Sequence, residues 1–144
     1  MTATTGLDAY GTKLKRGDGG TPEAFTTIAN VTNLSPPPIS REMYEATHHD
    51  GPGWDEYIAG LLRGGEVSLD IDFVPTDSTH SYAAGMLKDM IDGTLRNWEL
   101  DWPDSTPTTW SFSAYVATFT PAAPTNGKLT ASLTLRISGQ PTLV

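Results

Sequence analysis

The chain has 144 residues, enough for one domain around one core. Its 38% hydrophobic content lies above the disordered regime, while fourteen Gly and eleven Pro demand many turns and leave room for few long helices. A net charge of −8 excludes a protein that grips DNA phosphates by itself, and the absence of cysteine excludes disulfides, thiolate metal sites and a Cys nucleophile.

Residues 1–9 are small and polar and read as a flexible arm without the basic start or apolar run of a signal peptide. No apolar stretch approaches the roughly 18 residues of a membrane span. These two features place synthesis in a cytoplasm. Residues 10–15 suggest a short strand, and the Arg16-Gly17-Asp18-Gly19-Gly20 cluster a turn. Residues 24–34, rich in Thr, Ile, Val and Phe, suggest a second strand. Pro36, Pro37 and Pro38 end it as a rigid connector, and a strand resumes over 39–47.

Residues 48–65 carry six Gly or Pro together with Trp54, Tyr57, Ile58, Leu61 and Leu62. That combination predicts a long loop with large apolar groups, which is a functional loop rather than a disordered one. The clearest strand spans 66–74. Val67, Leu69, Ile71 and Phe73 share one face, and Glu66, Ser68, Asp70 and Asp72 the other.

The spacing of Tyr82, Ala83, Met86, Leu87, Met90 and Ile91 predicts one helix over 77–92. Asp77 or Ser78 would cap its start and Gly93 its end, with His80 exposed in the first turn. Three strands follow, at 95–102, 109–120 and 128–138. In the last, Leu129, Ala131, Leu133, Leu135 and Ile137 face inward, opposite Lys128, Thr130, Ser132, Thr134, Arg136 and Ser138. Six or seven alternating strands and one helix predict a mainly β fold: a two-sheet β-sandwich or barrel with one flanking α-helix.

Few side chains point to chemistry. His48-His49-Asp50 lacks metal-ligand spacing and reads as solvated loop residues. Asp70 and Asp72 share a strand face and could hold a divalent cation or, with Glu66, form an acidic dyad. No oxygen-ligand loop, phosphate cradle or nucleophile elbow completes either, so a solvated acidic face is the simpler reading. Trp98 and Trp102 share a face with Leu100 and suit core packing better than sugar stacking.

Read in order, the motifs form a series. Residues 11–19 (GTKLKRGDG) precede 22–29 (PEAFTTIA) and Ser40-Arg41-Glu42. Thr47-His48-His49-Asp50 runs into 54–61 (WDEYIAGL), then 65–69 (GEVSL) and 110–116 (WSFSAYV). Residues 127–135 (GKLTASLTL) and Ser138-Gly139 close it. The series resembles the phage tail tube proteins of the lambda type over residues 10–143, whether in a phage or in a gene-transfer particle.

The resemblance implies a non-enzymatic virion protein without cofactor or metal. Its subunits would form hexameric rings that stack into a hollow tail tube, assembled in the host bacterial cytoplasm. Residues 48–65 would contact the neighbouring ring through Trp54, Tyr57, Ile58, Leu61 and Leu62. Some of Glu66, Asp70 and Asp72, which share a polar strand face, would then line the lumen, with the polar face of 128–138 as an equal alternative. The implied partners are further copies of the chain, a tape measure protein, and tail terminator and distal tail or baseplate proteins. Double-stranded DNA would pass through the lumen without specific binding, and no membrane is involved. A secreted tube or ring protein, a tail terminator component and a carbohydrate-binding β-sandwich remain as alternatives.

Overall fold

The computed structural model describes residues 6–143, so the expected arm at 1–9 lies mostly outside the described residues. In chain order the elements are β1 (Lys13–Gly17), β2 (Phe25–Thr27), β3 (Val31–Ser35), β4 (Ser40–Glu45), β5 (Tyr57–Arg63), β6 (Glu66–Asp72), α1 (Met86–Asp92), β7 (Arg96–Asp101), β8 (Thr109–Ala122), β9 (Thr130–Ile137) and β10 (Thr142–Leu143).

Eight strands form one antiparallel sheet in the order β2-β1-β7-β8-β9-β6-β3, with β10 also on β8, while β4 and β5 form a separate two-stranded sheet. Leu14 and Trp98 from one half of the large sheet share a single core with Leu69 and Leu133 from the other. β1 and β6 stand four strand spacings apart in the order, about 19 Å in a flat sheet. The sheet therefore curls into two layers. The bend falls on β8, whose register shifts between Val116 and Thr118. Its first half pairs with β7 and its second half with β9, and β10 fills the edge beside Ser111 and Trp110. Core side chains such as Leu100, Leu135 and Ile71 are fully buried, and each contributes about 1.5–3 kcal/mol by leaving water.

The alternation expected for β6, β7 and β9 is present: Val67, Leu69, Ile71, Trp98, Leu100, Ala131, Leu133 and Leu135 are all buried. The single strand expected over 24–34 is instead two, β2 and β3. Asn30 breaks it in a left-handed conformation at φ 58°, which Asn tolerates better than most residues.

The long loop expected over 48–65 is also shorter. Residues 57–63 are strand β5, paired with β4 from Glu45↔Tyr57 to Ser40↔Arg63. The run Tyr57-Ile58-Ala59-Gly60-Leu61-Leu62-Arg63 has no period-two pattern because neither face meets this chain's core. Gly60 lies under the Tyr44 ring, where an added Cβ would collide with it.

The helix expected over 77–92 is reduced to its second half. Asp77 Oδ1 accepts from the Thr79 N–H at 2.8 Å and from its hydroxyl, closing a turn rather than capping a helix. His80, expected in solvent, is fully buried. Its Nδ1 accepts from the Val74 N–H at 3.2 Å, and its Nε2 donates to the Ala29 carbonyl at 2.8 Å. Gly85 is extended, so helical geometry begins only at Met86. Gly93 ends the helix in the left-handed conformation, as its position predicts.

Candidate assembly surfaces

The β4–β5 hairpin stands away from the core. All five apolar residues expected to make contacts here are exposed: Trp54 at 79%, Tyr57 56%, Ile58 60%, Leu61 67% and Leu62 60%. The structure adds Met43 and Tyr44 on β4, both more than half exposed. Directly paired residues share a face, so Tyr44 lies with Ile58 on one side and Met43 with Ala59 on the other. Both faces of the hairpin thus carry bare apolar groups. A lone two-stranded hairpin is at best marginally stable in water. Here Arg63 bridges to Glu42, the Tyr44 hydroxyl donates to Glu42 at 2.8 Å, and Arg41 reaches the Gly60 carbonyl at 3.0 Å. The Arg63 guanidinium, followed by the Tyr44 hydroxyl, holds the Glu42 carboxyl below its ordinary range.

The second surface is the polar face shared by β3, β6 and β9. Glu66 is opposite Arg136 and ion-paired with it. Asp70 accepts from Ser132 Oγ at 2.7 Å and from Asn33 Nδ2 at 3.5 Å. Lys128 Nζ is 3.1 Å from an Asp72 carboxylate oxygen. The polar faces of β6 and β9, alternatives in the sequence, are therefore one surface. Its three carboxylates are offset by two cations, which makes it only mildly acidic.

Two sheet edges, β2 and β3, end the large sheet. Exposed edges invite pairing with another chain. Among the described residues, no group of three His, Cys, Asp or Glu side chains is placed to hold a metal ion. His48 Nδ1 lies 2.8 Å from Asp50 in an exposed turn. Of the expected core tryptophans, Trp98 is fully buried and donates its Nε1–H to the Ala114 carbonyl at 3.2 Å. Trp102 packs edge-on against Trp110.

One polar cluster has no local signature in the sequence. Asp89 of α1, 1% exposed, accepts from Arg16 Nη2 of β1 at 2.9 Å and from Arg96 Nε of β7 at 3.0 Å. Arg96 also donates to the Asp18 carbonyl at 2.9 Å. The three side chains pin the helix onto the sheet beside the β2 edge.

A curled β-sandwich with open sheet edges and a hairpin bare on both faces is the build of a self-assembling structural subunit. The family model described as the lambda phage tail tube protein matches residues 8–144, and the chain belongs to that family: it is a structural tail tube protein of phage-type particles.

Solved structures share the fold. A chain in the tail of an empty GTA particle is 18% identical, with 96% of this chain and 99% of that one covered and a TM-score of 0.79. A chain in the virion of a native gene transfer agent particle is 16% identical, covering 96% and 99%, at a TM-score of 0.76. A chain in the sheath/tube terminator of an extracellular contractile injection system is 16% identical, covering 99% of both chains, at a TM-score of 0.71. No curated protein matches the chain by sequence.

Proposed function

We propose that six copies close into a ring and that rings stack into the hollow tube of a virion tail, assembled in the host cytoplasm. The observation that carries this reading is the β4–β5 hairpin, whose apolar groups on both faces have no partner within the chain. Bare groups of this size are an aggregation hazard on a monomer and anchors in an interface. Pairing between the β2 and β3 edges of neighbouring copies would close the ring and remove both open edges.

The β3–β6–β9 polar face is the lumen wall in this reading. DNA and, before ejection, a tape measure protein pass along it without specific binding. Phosphate binding draws its strength from Lys and Arg that release counterions. Lys128 and Arg136 are instead engaged by Asp72 and Glu66, so the wall neither grips nor strongly repels the passing chain. The ends of the tube meet a tail terminator and a distal tail or baseplate protein. The role is structural and involves no catalysis.

The test is electron microscopy of producing cells and purified particles. Wild-type protein forms tubes with a six-fold hollow cross-section. Trp54→Ser together with Leu61→Ser abolishes tails, and normal tails from that variant would overturn the stacking role. A tube reconstruction that places Glu66, Asp70 and Asp72 all outside the lumen would refute the lining.

A terminator or injection-system ring protein is the second reading, supported by the fold shared with a chain in the injection-system sheath/tube terminator structure. Genes for a tape measure protein and tail assembly beside this one favour the tail tube.

A further inference from the structure

We propose that Asn126, in the turn between β8 and β9, is a site of spontaneous deamidation, and that the fold selects it. Aspartate or asparagine precedes glycine at Asp18-Gly19, Asp50-Gly51, Asp92-Gly93 and Asn126-Gly127. At such a pair the glycine nitrogen, with no Cβ to shield it, can attack Cγ of the preceding residue and close a five-membered ring. The attack needs both reacting groups free to come into line.

Three of the pairs are tied down. Asp18 Oδ1 accepts from the Gly20 N–H at 2.8 Å and from the Ala24 N–H at 3.1 Å. The Gly51 N–H donates to the His48 carbonyl at 3.2 Å, while Asp50 lies 2.8 Å from His48 Nδ1. The Gly93 N–H donates to the Asp89 carbonyl at the helix end, and Asp92 faces Lys88 at 3.4 Å. All three also present a carboxylate, whose charge repels the nucleophile. The other asparagines precede Val31, Leu34 and Trp98, whose side chains shield the nitrogen. Of these, Asn33 donates to Asp70 and Asn97 to Glu23.

Asn126 differs on each count. It carries a neutral amide, and residues 121–129 are all exposed. The pairing of β8 with β9 stops at Ala122↔Thr130. Among the described residues, neither the Asn126 side chain nor the Gly127 N–H has a hydrogen-bond partner. The turn also calls for the glycine: a Cβ at 127 would lie 3.0 Å from Pro124 Cγ, closer than ordinary van der Waals contact. The residue that lets the chain fold against Pro124 is therefore the one that leaves the nitrogen bare.

The reaction involves no oxidation or reduction. The Gly127 nitrogen gives its proton to a base and bonds to Asn126 Cγ. The Cγ–Nδ2 bond breaks, and Nδ2 takes a proton from water and leaves as ammonia. Water then opens the succinimide. Cleavage between the Gly127 nitrogen and Cγ leaves aspartate. Cleavage between that nitrogen and the Asn126 carbonyl carbon leaves isoaspartate, with the main chain running through Cγ. Overall one water is consumed and one ammonia released. Either product adds a negative charge to a chain already at −8, two positions before Lys128, the cation that holds Asp72 at 3.1 Å.

The experiment incubates the purified full-length chain in warm, mildly alkaline buffer. Peptide mass spectrometry follows each asparagine, and a purified isoaspartyl methyltransferase labels isoaspartate. Asn126 should convert about tenfold faster or more than Asn30, Asn33 or Asn97, and faster than any of the three aspartates isomerises. Another site reacting at the rate of Asn126 overturns the selection. Asn126→Gln lengthens the side chain by one methylene, which disfavours ring closure, and should remove the acidic species that isoelectric focusing resolves. Acidic species that persist in this variant overturn the assignment. Guanidinium chloride frees Asp18, Asp50 and Asp92 from their partners and should raise their isomerisation relative to conversion of Asn126. An unchanged ratio overturns the role of the fold.

Discussion

Glu66 at the start of β6 and Arg136 near the end of β9 are direct cross-strand partners, joined as an ion pair on the outer face of the sheet. Seventy residues of sequence separate them. The pair lies on the polar face of β6 and β9, at the end next to Leu62 and Arg63 of the hairpin. Both side chains keep substantial contact with water, which limits the pair to a modest stabilisation.

Arg136→Ala should accordingly lower the monomer's unfolding free energy by no more than about 1 kcal/mol, as exposed ion pairs do. Added salt should erase most of the difference. Urea titrations at two salt concentrations measure it. A loss well above that range would mean that the arginine packs as part of the core.

Asp89→Ala should cost far more, about 3–5 kcal/mol, because it leaves the Arg16 and Arg96 guanidiniums facing each other with no carboxylate between them. Their side chains are only 11% and 19% exposed, so water compensates poorly. Leu87 and Met90 on the same helix should lose protection from hydrogen exchange in this variant. A variant as stable as wild type would show that the helix is held by apolar packing alone.

His80→Phe keeps the ring volume but leaves the Val74 N–H and the Ala29 carbonyl without their buried partners. The expected loss is about 1–3 kcal/mol for each group left unpaired. Thermal unfolding reads it directly. A rise in the melting temperature would imply that the two backbone groups find each other or water.

Acid should weaken the fold in a defined window. Asp77, Asp101 and Asp104 all titrate below the ordinary value of 3.8. Thr79 does this for Asp77, and Thr108 for Asp104. At Asp101 burial pushes upward, and the bonds from Lys15 and Thr109 outweigh it. A carboxyl whose pKa is lower folded than unfolded stabilises fully above the unfolded value and loses that contribution as pH falls through the folded one. The contribution of these three carboxyls should be flat from pH 7 to about 5 and decline below about 4. Urea midpoints across that range check it, and Asp77→Asn should flatten part of the decline.

The sequence by itself determined the β character of the chain, the inward faces of β6, β7 and β9, and the glycine end of the helix. Those features are written in neighbouring residues: alternation follows from the two-residue period of a strand, and Gly93 from the left-handed backbone of a helix end. The ordered motifs added the family, and Trp54, Tyr57, Ile58, Leu61 and Leu62 were legible as a bare apolar group.

Tertiary structure decided the rest. The run 57–63 is a strand because β4 pairs with it, although its own pattern hides that. The helix starts at Met86 because Asp77 and His80 turn their side chains to local and core backbone partners, a choice made by burial rather than propensity. Asp89 meets Arg16 across 73 positions, and the acids of β6 meet Lys128, just before β9, and Arg136 of β9 across 56 and 70. Such contacts depend on which strands become neighbours when the sheet curls at β8. Only the shared core enforces that arrangement, and so only the folded chain shows that the two polar strand faces are a single surface.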